Sequence, residues 1–107
     1  MIYELRHYIA RPGRAAALSA RFRDHVLPIM RRHGLRVHDF WESADGSGEL
    51  WYVMAWRDEA EMVRLWATFR GDPDWLAARA ATETDGSPIQ SSTSVLLRRV
   101  PYFDPTN

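Results

Sequence analysis

The sequence predicts an α+β domain in the order β-α-β-β-α-(α)-β, with an antiparallel sheet, and three observations carry that expectation. Two stretches, IYELRHYI at 2–9 and ELWYVMAW at 49–56, have the β-branched and aromatic content of strands. Between them Ala15, Leu18, Phe22, Val26 and Ile29 recur at three and four residues, the spacing of one helix face. These signals occur once each in 107 residues, which is one domain over 1–107, with a core at about 2–102 and a tail at 103–107.

In the first strand one face carries Tyr3, Leu5, His7 and Ile9, and the other carries Ile2, Glu4, Arg6 and Tyr8. The first of these is the more apolar and is expected to meet the helices. Arg11-Pro12-Gly13 ends the strand, and a helix follows from Arg14. Pro28 lacks the N–H that would bond the Asp24 carbonyl, so a kink or a tightened last turn is expected there. Gly34 supplies the stop.

A second strand is expected at about 35–42 and a third at about 49–56, joined through the Ser43–Gly48 loop as a hairpin. The third strand is apolar on both faces and therefore needs cover on both. Asp58 and Glu61 form a capping-box pattern ahead of a helix over 59–69, and Asp72-Pro73 restarts a helix after Gly71. A turn-rich segment over 82–92 leads to a last strand at about 93–100.

This order is the ferredoxin-like split βαβ arrangement, with the first and third strands central. Its helices cover one face of the sheet. The second face, assigned Trp51, Val53, Phe40 and Leu96, is expected to pack on a second copy of the chain, sheet against sheet, giving a homodimer.

Composition removes several chemistries. With no Cys there are no disulfides, thiolate nucleophiles or sulfur ligands, and a cytoplasmic location fits. All fourteen basic residues are Arg, so no lysine can form a Schiff base. Fourteen acids balance them, leaving no basic footprint for nucleic acid or an anionic membrane. The N-terminal stretch carries Glu4 and Arg6 where a signal-peptide core would lie, and neither a secretion signal nor a membrane span is expected. GxGxxG, P-loop, HExxH and GxSxG patterns are missing, and no metal or cofactor is implied.

Among the histidines, His7 is the foremost proton-handling residue if its face meets the helices, because imidazole as a class titrates near neutrality. His25 borders the apolar stripe of the first helix and is the second catalytic candidate; a partly buried histidine bonded to a carbonyl or water is the competing account. His33 is explained by the helix terminus, where a cation gains about 0.3–1 kcal/mol. His25 and His33 stand eight apart, about 80° on an ideal helix, and are not a metal pair. His38 is assigned to the dimer side with Phe40 and Glu42. Trp56 and Trp66 with Tyr3 and Met54 are the candidates for a flat ligand-binding cavity, with a plain core role as the alternative. Trp75 is read as locking the short helix onto the body. Glu4 and Arg6 are read as a matched pair, within the chain or across the dimer, with exposure in a barrel interior as the functional alternative.

IYELRHY at the start, the Pro12-Gly13 that opens the first helix, HVLPIMRRHG at its end and W-x-x-F-x-x-DPDW at 66–75 together resemble the NIPSNAP family, within the dimeric α+β barrel group that also includes antibiotic-biosynthesis monooxygenase-like proteins. The resemblance covers about residues 2–102. It implies a two-chain barrel and a small-molecule pocket in each subunit between sheet and helices. The expected function is a small-molecule enzyme of specialised or catabolic metabolism, a cofactor-free monooxygenase, cyclase or isomerase acting on an apolar or aromatic, polyketide-like substrate. A non-catalytic ligand-binding or scaffold homodimer is the alternative, and a haem-handling protein with His7, His25 or His33 as axial ligand is a further one.

Overall fold

The computed structural model describes residues 1–106, in the order β1 (Ile2–Ala10), α1 (Ala15–Arg21), a π-helical turn (Phe22–Val26), α2 (Leu27–Arg32), β2 (Arg36–Glu42), β3 (Leu50–Trp56), α3 (Glu59–Arg70), α4 (Pro73–Thr82) and β4 (Ile89–Leu97). Asn107, the end of the expected tail, lies outside the described residues. All strand pairs are antiparallel and the sheet order is β2-β3-β1-β4, so β1 and β3 are central as the ferredoxin-like arrangement requires. Among the described residues no helix is long and apolar enough to cross a membrane.

The helices pack on the face that carries Tyr8, Tyr52, Met54 and Trp56, and Leu18 and Met30 meet these side chains with almost no exposure. This reverses the face assignment of β1. Ile2, Glu4, Arg6 and Tyr8 point to the helices, while Tyr3, Leu5, His7 and Ile9 lie on the open face. The more apolar face was the wrong guide, because Glu4 on the other finds partners from elsewhere in the chain and Arg6 pairs with it.

A register shift at His38, between Val37 and Asp39, breaks the alternation of β2. The extra residue sends Phe40 to the helix side, where it stacks on Tyr52, and leaves His38 edge-on to Tyr3. Trp41, not Phe40, is therefore the large aromatic that β2 gives to the open face. Leu96 also changes sides, since it pairs with Glu4, and its neighbours Val95 and Leu97 take the open face. β4 begins and ends earlier than expected, at Ile89 and Leu97.

The first helical region answers Pro28 by widening, not tightening. The Leu27 N–H bonds the Phe22 carbonyl, five residues back, and the α-helix resumes with Pro28 in its first turn. Phe22 and Val26, at the two ends of the π-helical turn, both face the core. At the far end Gly34, at φ +80°, allows Leu35 N–H to reach the Met30 carbonyl and Gly34 N–H to reach that of Arg31, a Schellman closure.

Asp58 accepts the Glu61 N–H at 2.8 Å, while the Glu61 carboxylate takes the Arg57 N–H, so the expected capping box closes one residue early. Asp72 caps α4 through Asp74 N–H and Trp75 N–H, and also meets Arg32 and His33 Nε2, tying α4 to the end of α2. These bonds, His33 first, hold its carboxyl well below the ordinary aspartate range. Trp75 is buried against Phe69 and under Arg21, the locking role the sequence suggested.

Gly48, at φ +79°, brings the hairpin against α1 so closely that an added Cβ would lie 2.5 Å from Ala15 Cβ. Gly46 has a similar φ of +78° and open space around it. Gly46→Ala should cost about 1–2 kcal/mol from backbone conformation alone, and Gly48→Ala about 1–3 kcal/mol more from overpacking. Urea denaturation of the two variants checks this; equal losses would show that α1 does not constrain the hairpin.

Candidate functional site

β1 delivers a carboxylate, a guanidinium and a phenol to the helix side at every second residue: Glu4, Arg6 and Tyr8. Glu4 is only 4% exposed, where a charge is costly unless its oxygens are satisfied. Its Oε1 accepts Trp66 Nε1–H at 2.8 Å and Trp56 Nε1–H at 3.2 Å. Its Oε2 accepts Ser94 Oγ–H at 2.6 Å and the Arg6 guanidinium at 3.1 Å. Burial pushes the carboxyl up, but the bonds from Ser94, Trp66 and Arg6 outweigh it and hold the group below the ordinary 4.5.

Arg6 continues the chain of contacts. A second nitrogen donates to Tyr8 Oη at 2.6 Å, and its guanidinium lies 5.2 Å from the Trp66 ring centre and 5.4 Å from that of Tyr8. Burial disfavours its charge, yet the Tyr52 and Tyr8 hydroxyls and the bonds to Tyr8 and Glu4 more than offset this, so it is held more firmly charged than an ordinary arginine. Arg6 Nε is buried without a partner among the described residues.

Tyr52 Oη donates to Tyr8 Oη at 3.3 Å, and burial first, then Tyr8, pushes its own hydroxyl well above 10.0. Tyr8 Oη thus accepts from Arg6 and shares a longer contact with Tyr52, and as a phenol it keeps the capacity to donate.

Tyr8 and Tyr52 line a cavity of about 120 Å³ between sheet and helices. Leu18, Phe22 and Val26 wall it from the first helical region, with Trp66, Phe69 and Trp75 opposite. Arg21, 5% exposed, is its charged member. The space is of the order of the roughly 150 Å³ that admits one benzene ring in an apolar protein interior. An aromatic-walled chamber with a proton donor backed by a cation can hold a ring and stabilise negative charge on an oxygen attached to it.

The expected site residues are divided by this arrangement. Trp66 lines the cavity. Met54 and Trp56 lie beneath it with no exposure, and Trp56 reaches the site through Glu4. Tyr3 is on the open face, where its hydroxyl accepts from Arg99 at 3.1 Å. His7 is there too, stacked on Trp51 with ring centres 3.6 Å apart and its Nε2 2.6 Å from Glu49. His25 lies in an outer groove of about 250 Å³ beside Arg21 and Thr82. The structure therefore brings neither His7 nor His25 into the cavity, nor the two together. Tyr8, Tyr52 and Arg21 were not singled out from sequence; the available signal was two polar-tipped aromatics flanking the Glu4/Arg6 pair once β1 and β3 are paired, since Arg6 stands opposite Tyr52.

A family model described as NIPSNAP matches residues 3–103. Among solved structures, a NIPSNAP domain protein from Burkholderia xenovorans superposes with a TM-score of 0.81 at 19% identity, covering 97% of this chain and 99% of that one. A NIPSNAP family protein from Agrobacterium tumefaciens gives 0.83 at 16% identity, covering 99% and 98%. A protein described as an antibiotic biosynthesis monooxygenase gives 0.67 at 15% identity, covering 94% and 100%. At these identities the likeness is one of fold. No curated protein matches the sequence.

Because the folded-state pKa of Glu4 is depressed, the stability it contributes is fully present above the ordinary 4.5 and is lost as pH falls through that value and below. Glu4→Gln should lose about 3 kcal/mol or more near neutrality by leaving Arg6 unmatched. It should then show a smaller further loss on going from about pH 7 to about pH 3 than the parent chain does. Denaturant titrations at the two pH values decide the matter; parallel losses in both proteins would mean that Glu4 is not charged in the folded state.

Proposed function

The chain belongs to the NIPSNAP family, and from that premise we propose that it is a homodimeric small-molecule enzyme whose cavity binds a single-ring, ionisable substrate as its enolate or phenolate. The observation that carries this reading is Tyr8, whose hydroxyl is held by the Arg6 guanidinium beside Tyr52 in the wall of an aromatic-lined cavity. A donor of this kind stabilises an oxyanion in a low-dielectric space, where such a bond is stronger than in water.

Three reactions start from that anion. Return of a proton to a different carbon gives isomerisation; attack of the enolate carbon on a carbonyl of the same substrate gives cyclisation, the new alkoxide taking the proton; addition of dioxygen at the electron-rich carbon, which supplies two electrons, gives a hydroperoxide that loses water in a cofactor-free oxygenation. His25, in the groove beyond Arg21, is the candidate for exchanging the substrate's proton with solvent. His7 would act only from the open face, paired with Glu49. The likeness to a protein described as an antibiotic biosynthesis monooxygenase is in keeping with small-molecule chemistry on this fold. A cavity of about 120 Å³ favours one ring over a polycyclic substrate or a tetrapyrrole. A non-catalytic binding dimer is the second reading, and it draws on the lack of a histidine in the cavity wall.

The dimer rests on the open face. Trp41, Val95 and Leu97 are 47%, 50% and 44% exposed there, on a molecule whose shortest extent is 19 Å. A sheet with helices on one side and apolar residues on the other needs a second layer. Native mass spectrometry should show a dimer, and Val95→Arg should shift it to monomer while leaving the fold intact by circular dichroism. A parent protein that stays monomeric at micromolar concentration would remove the two-chain barrel.

The chemical reading is checked with 4-nitrophenol, whose phenolate is coloured. Bound dye should ionise at lower pH than free dye, and Tyr8→Phe should abolish most of that shift. Bound dye that ionises at the same or higher pH would rule out oxyanion stabilisation, and failure to bind any phenol would count against the cavity itself.

A further inference from the structure

Arg21 is the arginine of the cavity wall and has no part in the Glu4 network. Its side chain is 5% exposed, an uncommon position for a cation without a full set of partners. One nitrogen donates to Glu83 Oε1 at 3.2 Å, and the guanidinium lies 4.7 Å from the Trp75 ring centre. Its other nitrogens have no hydrogen-bond partner among the described residues.

Glu83 does not balance it alone. The other oxygen of that carboxylate meets Arg79 Nε at 3.4 Å, so one negative group serves two guanidinium groups. Asp24, which lies in the same outer groove, is held by two bonds from Arg23 at 2.7 and 3.0 Å. The Arg21–Arg79–Glu83 cluster therefore carries a positive charge in excess, although the whole chain has a formal net charge of zero. Arg21 also stands in the wall between the inner cavity and the groove that holds His25, so it borders both spaces.

We infer that Arg21 anchors an anionic substituent and that the cavity accordingly takes a single-ring acid, with a carboxylate on Arg21 and the ring among Phe22, Phe69 and Trp75. A guanidinium matches a carboxylate with two parallel bonds, which a compact ammonium cannot reproduce. Together with the Tyr8 donor, this selects a ring that bears a carboxylate at one position and an ionisable oxygen at another. The inference rests on the reading of the cavity as a ligand site and adds to it the charge class of the ligand.

Benzoate and benzamide share a ring and differ in charge, and Trp66 and Trp75 in the cavity wall give a fluorescence signal for binding. Benzoate should bind the parent protein at least about tenfold more tightly than benzamide, a difference of about 1.4 kcal/mol. Arg21→Met should bring the ratio close to one, and Arg21→Lys should restore part of it. Glu83→Gln frees Arg21 from its competitor and should strengthen benzoate binding with little change for benzamide; a purely structural Arg21 would not produce that response. Equal affinities in the parent protein would overturn the anionic class and leave the cavity reading standing. Absence of binding by either ring would overturn both. If Arg21→Met does not fold, the parent ratio and the Glu83→Gln response still decide the outcome.

Discussion

Glu4 places a negative charge in the layer between sheet and helices, and the rest of the architecture is arranged around keeping it there. An isolated carboxylate so buried would cost several kcal/mol or take up a proton. Trp56 at the end of β3, Trp66 on α3, Ser94 on β4 and Arg6 on β1 each bring a donor to it. Four segments far apart in sequence are thereby fixed in one register. A slip of one residue in β1 would turn Glu4 to the open face and bring a leucine or tyrosine to three stranded donors.

The same constraint sets up the chemistry. Because Glu4 matches one end of the Arg6 guanidinium, the other end is free to press on Tyr8, and Tyr52 completes the set from β3. The grouping of two phenols and an arginine follows from alternate positions along one strand and the residue opposite.

Most of the fold was legible because its signals were local. Asp58, Asp72-Pro73 and Gly34 marked helix ends through bonds made within a turn, and the structure shows those bonds. What misled was long-range. The faces of β1 were assigned by apolar content, and nothing within residues 2–9 indicates that Trp56, Trp66 and Ser94 will come to Glu4. With that face reversed, His7 moved to the open side and Tyr8 entered the site. Phe40 was misplaced by the bulge at His38, which alternation cannot foresee. His25 was placed correctly at the border of the helix stripe, but the π turn that opens the helix there governs what it borders.

That turn links Pro28 to the cavity. In an unbroken α-helix, Phe22 and Val26 would follow Leu18 at regular four-residue steps, and Pro28 would leave the Asp24 carbonyl without its donor. The five-residue turn inserts extra backbone before the proline, so the helix can resume with Pro28 in its first turn, where its missing N–H is harmless. Phe22 and Val26 both remain against the chamber while Arg23 and Asp24 turn to solvent and pair with each other. Arg21, immediately before the widened turn, is carried to the boundary between the chamber and the outer groove. The proline that interrupts the helical pattern is thus accommodated without loss of the apolar wall or of the buried cation beside it.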